Sequence, residues 1–297
     1  MSYSKLTAHY RRIAHLEHVA AIVGWDEAVM MSRNGGESRA DAQATLGVIL
    51  HGLRTDPRIG DWIEVATGQV SGEVEKANLR EIRRDHARAV AVGTDLVEAC
   101  SRAATLCEQA WRTQRADNDW QGHRPLLEEV VALERERATV LGEALSLDPY
   151  DALLDGYDPG MRTAMIDPIF EEIGGFLPQL LEQILEARAS IRVMPLEGPF
   201  DLDSQRKLGR RLMEAVGFDF NRGRLDESHH PFCGGVSDDV RITTRYDESD
   251  FTRALMGVLH ETGHAKYDQG LPVELADQPV GQAVSYTHLT LPTICSV

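Results

Sequence analysis

The sequence predicts a mainly α-helical protein with one small β-sheet set beside a single, chemically distinctive helix. Three observations predict it. Apolar residues recur every three or four positions from the N-terminus to about Val216. Only one stretch, from Arg224 to Tyr246, alternates β-branched with polar residues as a strand does. Immediately after it, Phe251, Leu255 and Val258 resume helical spacing and lead into His260-Glu261-Thr262-Gly263-His264.

The first helix is expected to carry Leu6, Tyr10, Ile13, Leu16, Val19 and Ile22 on one stripe, until the loop from Gly24 to Gly36 breaks the pattern with a glycine pair. Trp25 and Asp26 within that loop read as packing and capping residues. Leu96, Cys100, Ala103, Cys107 and Ala110 mark a second helix, and Pro125 to Leu145 a third. The run from Asp148 to Gly160 holds too many turn formers for a long helix. A further helix is expected to open with Asp167 as N-cap and Pro168 in its first turn, and to kink or end at Pro178. Another runs from about Ser204 to Val216 and stops near Gly217. Val240 to Tyr246 reads as strand, and the next helix begins near Asp250. No internal repeat is visible.

At 297 residues the chain can hold one large domain or two of ordinary size, with a core that needs no disulfide staples. Apolar residues make up 42% and charged residues 26%, the composition of an ordinary globular protein. The formal charge of -16, from 47 acidic against 31 basic residues, argues against nucleic acid as a partner, because phosphate recognition needs clustered Lys and Arg. No apolar run is long enough for a membrane span, and the first residues carry no apolar core of the secretory kind. Cys100, Cys107, Cys233 and Cys295 form no C-x-x-C pair and read as small core residues in a reducing compartment, so the expected location is the cytoplasm.

The H-E-x-x-H string points to metal-assisted hydrolysis. Residues four apart share a helix face, so His260 and His264 can aim imidazole nitrogens at one Zn2+, with other divalent ions such as Co2+ as alternatives. Glu261 is rotated about 100° around the helix axis. It is therefore placed to act on a water beside the ion as general base rather than to join the same grip. Gly263 costs a helix about 1 kcal/mol relative to alanine, which implies that something approaches closely there.

Beyond that string, the sequence resembles the carboxypeptidase Taq family of zinc metallocarboxypeptidases. His260-Glu-Thr-Gly-His-Ala-Lys-Tyr-Asp-Gln-Gly-Leu271 is similar to the family's H-E-x-G-H-A-x-Y-x-Q-G-L signature. His230-Pro231-Phe232 matches its H-P-F motif, and Asp239-Val-Arg-Ile-Thr-Thr244 its D-x-R-I-T-T motif. Trp25-Asp26 with Met30, and Pro149-Tyr-Asp-Ala-Leu-Leu-Asp155, fall in the family's order. The resemblance implies a helical, zincin-like metallopeptidase with a deep substrate groove, a homodimer that releases residues from the carboxyl end of peptides. It implies His260 and His264 as zinc ligands and Glu261 as the catalytic base. It implies Asp239–Thr244 as a strand bordering the groove, able to pair with extended substrate backbone. His230, Asp239, Arg241, Thr243, Thr244 and Tyr267 are the groove candidates. Each also has a plainer reading, as a turn residue, a salt-bridged arginine or a core tyrosine.

The family's third zinc ligand, a glutamate, is expected near Thr290, where this chain has none. After Gly281-Gln-Ala-Val-Ser285, the segment from Tyr286 to Val297 has no helical period, no acidic residue and a proline. Residues 1–285 therefore read as the N-terminal portion of one catalytic domain, and 286–297 as an aberrant tail. Glu274, Asp277 and His288 are the other donors near the motif. The competing readings are an endopeptidase or aminopeptidase built on the same string, and a catalytically inactive helical protein that binds zinc or dimerises.

Overall fold

The computed structural model of the chain describes residues 2–32, 34–192 and 194–282. Cys295, His288, Thr290 and the segment 286–297 lie outside the described residues.

Four helices form the first layer: α1 (Ser2–Val29), α2 (Gly36–Arg54), α3 (Arg58–Thr67) and α4 (Glu73–Ala91). Leu6, Tyr10 and Ile13 of α1 meet Leu50, Ile59, Ile63, Leu79 and Ile82 in one buried cluster. Val19, expected on the same stripe, is 51% exposed. The spacing explains it: each three-residue step from Ile13 to Leu16 to Val19 turns the stripe back by about 60°. Gly24 does not break α1, which runs through Trp25 and Asp26 to Val29 and buries Trp25 and Glu27. Glu27 accepts hydrogen bonds from Gln43 of α2 at 2.5 Å and from Gln109 at 2.6 Å. A buried carboxylate held by amides in this way rewards continuing the helix past its glycine.

Gln109 belongs to α5 (Thr94–Gln114), which packs between α2 and α6 (Trp120–Leu145). As expected, Cys100 and Cys107 lie on α5; Cys107 is buried, whereas Cys100 is only partly so. α6 starts five residues before Pro125, because Asp119 caps it by accepting from the Gly122 N–H at 2.9 Å. The carbonyl of Gln121 that loses its donor to Pro125 is left beside an exposed residue, where water can serve it. A short helix, α7 (Pro149–Leu154), follows. Its Ala152 packs with Val92 and Leu141. α8 (Thr163–Ala189) runs through both Pro168 and Pro178 and begins four residues before Asp167. It buries none of its residues, so the carbonyls its prolines strip of donors stay open to water.

The turn between α7 and α8 is locked by Asp155, which accepts from the Gly160 N–H at 3.1 Å, from Arg162 at 3.0 Å and from Arg88 of α4 at 3.3 Å. Burial pushes its carboxyl up, but the Gly160 amide and the guanidinium groups of Arg162 and Arg88 outweigh that and hold it below the ordinary aspartate value. A carboxyl depressed in the fold contributes stability at neutral pH that fades as pH falls from about 4 through the folded value. Asp155→Asn is therefore expected to cost about 3 kcal/mol at pH 7, the scale for breaking a buried ion pair, and much less at pH 3. Melting curves of both proteins at the two pH values check it, and an equal loss at both would refute the linkage.

The second layer carries the sheet. α9 (Leu202–Ala215) is capped by Asp201, which accepts from the Ser204 N–H at 2.7 Å, and it stops at Gly217, whose φ of 86° suits glycine. Strands β1 (Gly223–Glu227), β2 (Cys233–Val236) and β3 (Asp239–Thr244) form a sheet of order β1-β3-β2, with β1 parallel and β2 antiparallel to β3. The β2–β3 hairpin needs Gly235: φ is 90°, and an added Cβ would sit 2.1 Å from the Asp239 carbonyl oxygen. α10 (Phe251–Gln269) starts at Asp250, which accepts from the Thr252 N–H at 2.9 Å. Met213 and Phe218, Val240 and Ile242 of β3, and Val258 and Ala265 of α10 form the core that joins α9, sheet and α10. Among the described residues, no helix is long and apolar enough to cross a membrane.

Candidate metal centre

α10 presents His260 and His264 one turn apart, both half-buried, with their Nε2 atoms 3.3 Å apart. Two imidazole nitrogens at the usual zinc distance of about 2.0–2.1 Å and a tetrahedral angle lie about 3.3–3.4 Å from each other. The pair is thus spaced as two ligands of one ion. Burial, then the neighbouring His260, holds His264 below the ordinary histidine value, which favours the neutral ring that can donate a lone pair. The donors fit zinc as far as they go. Among the described residues no cluster of three His, Cys, Asp or Glu side chains converges. Asp277 is ion-paired with Arg11 of α1, and Glu274 is exposed on a short 3-10 turn. That stretch is fastened to the first layer by Gln278, which donates to the Thr7 carbonyl at 3.0 Å and accepts from Asn78 at 3.1 Å.

Glu261 lies under the sheet and is 8% exposed. Burial pushes its carboxyl up to about 7, opposed by a hydrogen bond from the Cys233 backbone N–H at the start of β2. A side chain poised near neutrality can both take up and release a proton. Two residues absent from the sequence-based candidates complete this pocket. The Cys233 thiol donates to Asp268 at 3.9 Å, and burial raises Asp268 to about 6. The thiol itself is raised by burial and by the facing Asp268 and Glu261 carboxylates. Asp268 could have been found, since it lies four residues after His264. The Cys233 amide could not, because any residue type supplies a backbone N–H.

The remaining candidates take distinct places. Thr243 and Thr244 are fully buried. The Thr243 hydroxyl accepts from the Phe232 N–H at 3.0 Å and from the Ser228 hydroxyl at 2.7 Å, and donates to the His230 carbonyl at 3.3 Å. Thr243 therefore clamps the His230-Pro231-Phe232 loop to β3, while the His230 residue itself is exposed. At Gly257, one turn before His260, Pro231 and Thr244 both lie within 3.7 Å of where a side chain would start, so loop and strand rest on α10. Arg241 is committed to Asp239, with Nε 3.0 Å and Nη2 2.6 Å from its carboxylate. It lies 4.4 Å from the Trp25 ring centroid, and Arg224 lies 5.0 Å from the same ring. Trp25 thereby docks the end of α1 on the sheet. Tyr267 is half-buried, two turns beyond His260. One expectation is corrected: β3 is the central strand, its backbone taken up by β1 on one side and β2 on the other. Asp239–Thr244 cannot pair with a substrate. The edge strand beside Glu261 is β2, whose Cys233 N–H bonds the Glu261 carboxylate.

The family model described as carboxypeptidase Taq (M32) metallopeptidase matches residues 5–288. The chain belongs to that family. It is 39% identical over 296 residues to thermostable carboxypeptidase 1 of Thermus thermophilus, a match covering 96% of this chain and 58% of the relative. Carboxypeptidase 1 of Bacillus subtilis is 30% identical, with 93% of this chain and 55% of the relative covered. The solved structure of Trypanosoma cruzi metallocarboxypeptidase 1 superposes with a TM-score of 0.85 at 37% identity, covering 96% of this chain and 58% of that one. The chain thus spans a little under three-fifths of the length of these M32 relatives.

Proposed function

We propose that the chain supplies the zinc-binding and proton-transfer part of a carboxypeptidase that releases residues one at a time from the carboxyl end of peptides. The observation that carries this reading is the 3.3 Å Nε2···Nε2 pair of His260 and His264 beside the buried Glu261 on one helix. Membership of the family, and the carboxypeptidase names of its relatives, support the same reaction class.

His260 and His264 would hold the ion, with a third ligand from outside the described residues. When bound, zinc supplies Lewis-acid chemistry, acidifying water towards a pKa of about 7 and polarising a carbonyl. Glu261 takes the proton that the attacking water loses, keeps it on a carboxylate oxygen and releases it to the departing amine. The Cys233 N–H fixes that carboxylate's orientation. As an edge strand, β2 would offer the backbone groups not held by Glu261 to an extended peptide, whatever its side chains. His230 at its exposed loop and Tyr267 on α10 would face the groove, while Asp239, Arg241, Thr243 and Thr244 hold its wall in place. Imidazole and carboxylate donors suit Zn2+, with Co2+ a workable substitute. The resemblance further implies a homodimer. The three cysteines among the described residues are free, in keeping with a reducing, cytoplasmic setting.

The test is paired digestion of one peptide with a free carboxyl terminus and with a terminal amide, followed by mass spectrometry. Stepwise shortening of the free peptide alone is expected. Cleavage of both would mean an endopeptidase or aminopeptidase. No cleavage by zinc-loaded protein would leave a non-catalytic zinc-binding role.

A further inference from the structure

We propose that the apolar face of α8 is a docking surface for the part of the family polypeptide that has no counterpart in this chain. The proposal stands apart from the peptidase reading, since α8 contributes nothing to the metal centre. Every other helix longer than two turns buries residues against the fold, whereas α8 buries none over its 27 residues. Phe170 is 66% exposed and Phe176 51%, and Ile173, Leu177, Leu180 and Leu181 are exposed with them. Monomeric proteins rarely leave more than a few hundred Å² of apolar surface in one patch.

The pattern on the helix says how it is covered. At 100° per residue, its large apolar side chains from Met165 round to Leu185 sweep roughly 200° of the circumference. A helix lying on a protein surface needs a stripe of roughly 100°, and a two-helix seam needs less. An arc twice as wide is covered by two or more neighbours, as in the interior of a bundle. A second copy of α8 laid against the first would leave much of it wet. A membrane surface is disfavoured by charge: Glu171, Glu172, Glu182 and Glu186 line the polar side against a lone Arg188, the reverse of the basic flank that anionic lipid attracts.

The comparison supplies an occupant of the right size. About two-fifths of the Thermus thermophilus and Trypanosoma cruzi polypeptides lies beyond the matched region. The expected partner is helical, with apolar faces for Phe170, Ile173, Leu177 and Leu180, and Lys or Arg at its rim opposite the glutamates.

The test co-expresses the 297-residue chain with a tagged polypeptide carrying the unmatched portion of the Thermus thermophilus relative. A one-to-one complex is expected on size exclusion. Ile173→Glu, Leu177→Glu and Leu180→Glu together should cut the recovered complex at least tenfold, and Gln179→Lys on the polar side should leave it unchanged. Since none of these residues is buried, circular dichroism should show the triple variant's helix content intact. The proposal is overturned by the absence of any complex with the unvaried chain, or by a complex indifferent to the triple variant. It is equally overturned if the chain alone forms a dimer that the triple variant disperses, which would assign the face to a second copy.

Discussion

A His264→Ala chain is expected to lose its zinc. Two imidazoles one helical turn apart act as a single chelate, and their Nε2 separation of 3.3 Å already matches two positions of a tetrahedral site. Loss of a mere outer-shell partner of a metal ligand costs roughly 10–100-fold in affinity, so loss of a ligand should exceed about 100-fold. Mass-spectrometric metal analysis after dialysis would read this directly. A second readout comes from stability: zinc at 100 times its dissociation constant adds about 2.7 kcal/mol to a protein that binds it only when folded. Added zinc should therefore raise the melting temperature of the parent and not of the variant. The substitution should spare the helix, because α10 is anchored by Val258 and Ala265, while His264 is only half-buried. One zinc per chain retained by the variant would mean the ion sits elsewhere.

The metal helix was legible in the sequence because every signal that builds it is local. Asp250 caps it, Phe251 and Val258 give its period, and the two histidines and Glu261 lie within one turn of each other. The same holds for α9 and Gly217, and for the β-branched run that became β3. What failed depended on neighbours. Periodicity at β3 announced a strand but not its place in the sheet, and a central strand offers no backbone to a substrate. Gly24 and Pro178 are poor helix residues, yet α1 and α8 pass through them. In α1 the reward is the buried Glu27 with its two glutamine donors, brought together from positions 16 and 82 residues away in sequence. Such networks leave no mark in the local pattern. Arg241 shows the middle case: its charge suggested substrate binding, and only the geometry shows it committed to Asp239 and stacked near Trp25.

Glu261→Gln should separate the binding of zinc from its use. Glutamine has nearly the same shape, and its carbonyl oxygen can still accept the Cys233 N–H, so the β2–α10 contact is expected to survive. What disappears is the lone pair that takes a proton. A positioned general base is worth about 10²–10⁴-fold, and kcat/KM for carboxyl-terminal hydrolysis should fall by that factor. The fall should lie mostly in kcat, because proton transfer belongs to the reaction step and not to peptide binding. Zinc content should stay at the parent's level, since in the proposed function the carboxylate serves as base beside His260 and His264 and does not hold the ion. Nor should the fold suffer: a neutral amide avoids the cost of burying a charge at a site 8% exposed, so the variant should melt no lower than its parent. That combination of retained metal, retained stability and lost turnover is specific to a base. Loss of zinc together with activity would instead make Glu261 a ligand. Unchanged turnover would remove it from the chemistry, and Asp268, the other raised carboxyl against Cys233, would be the next group to replace.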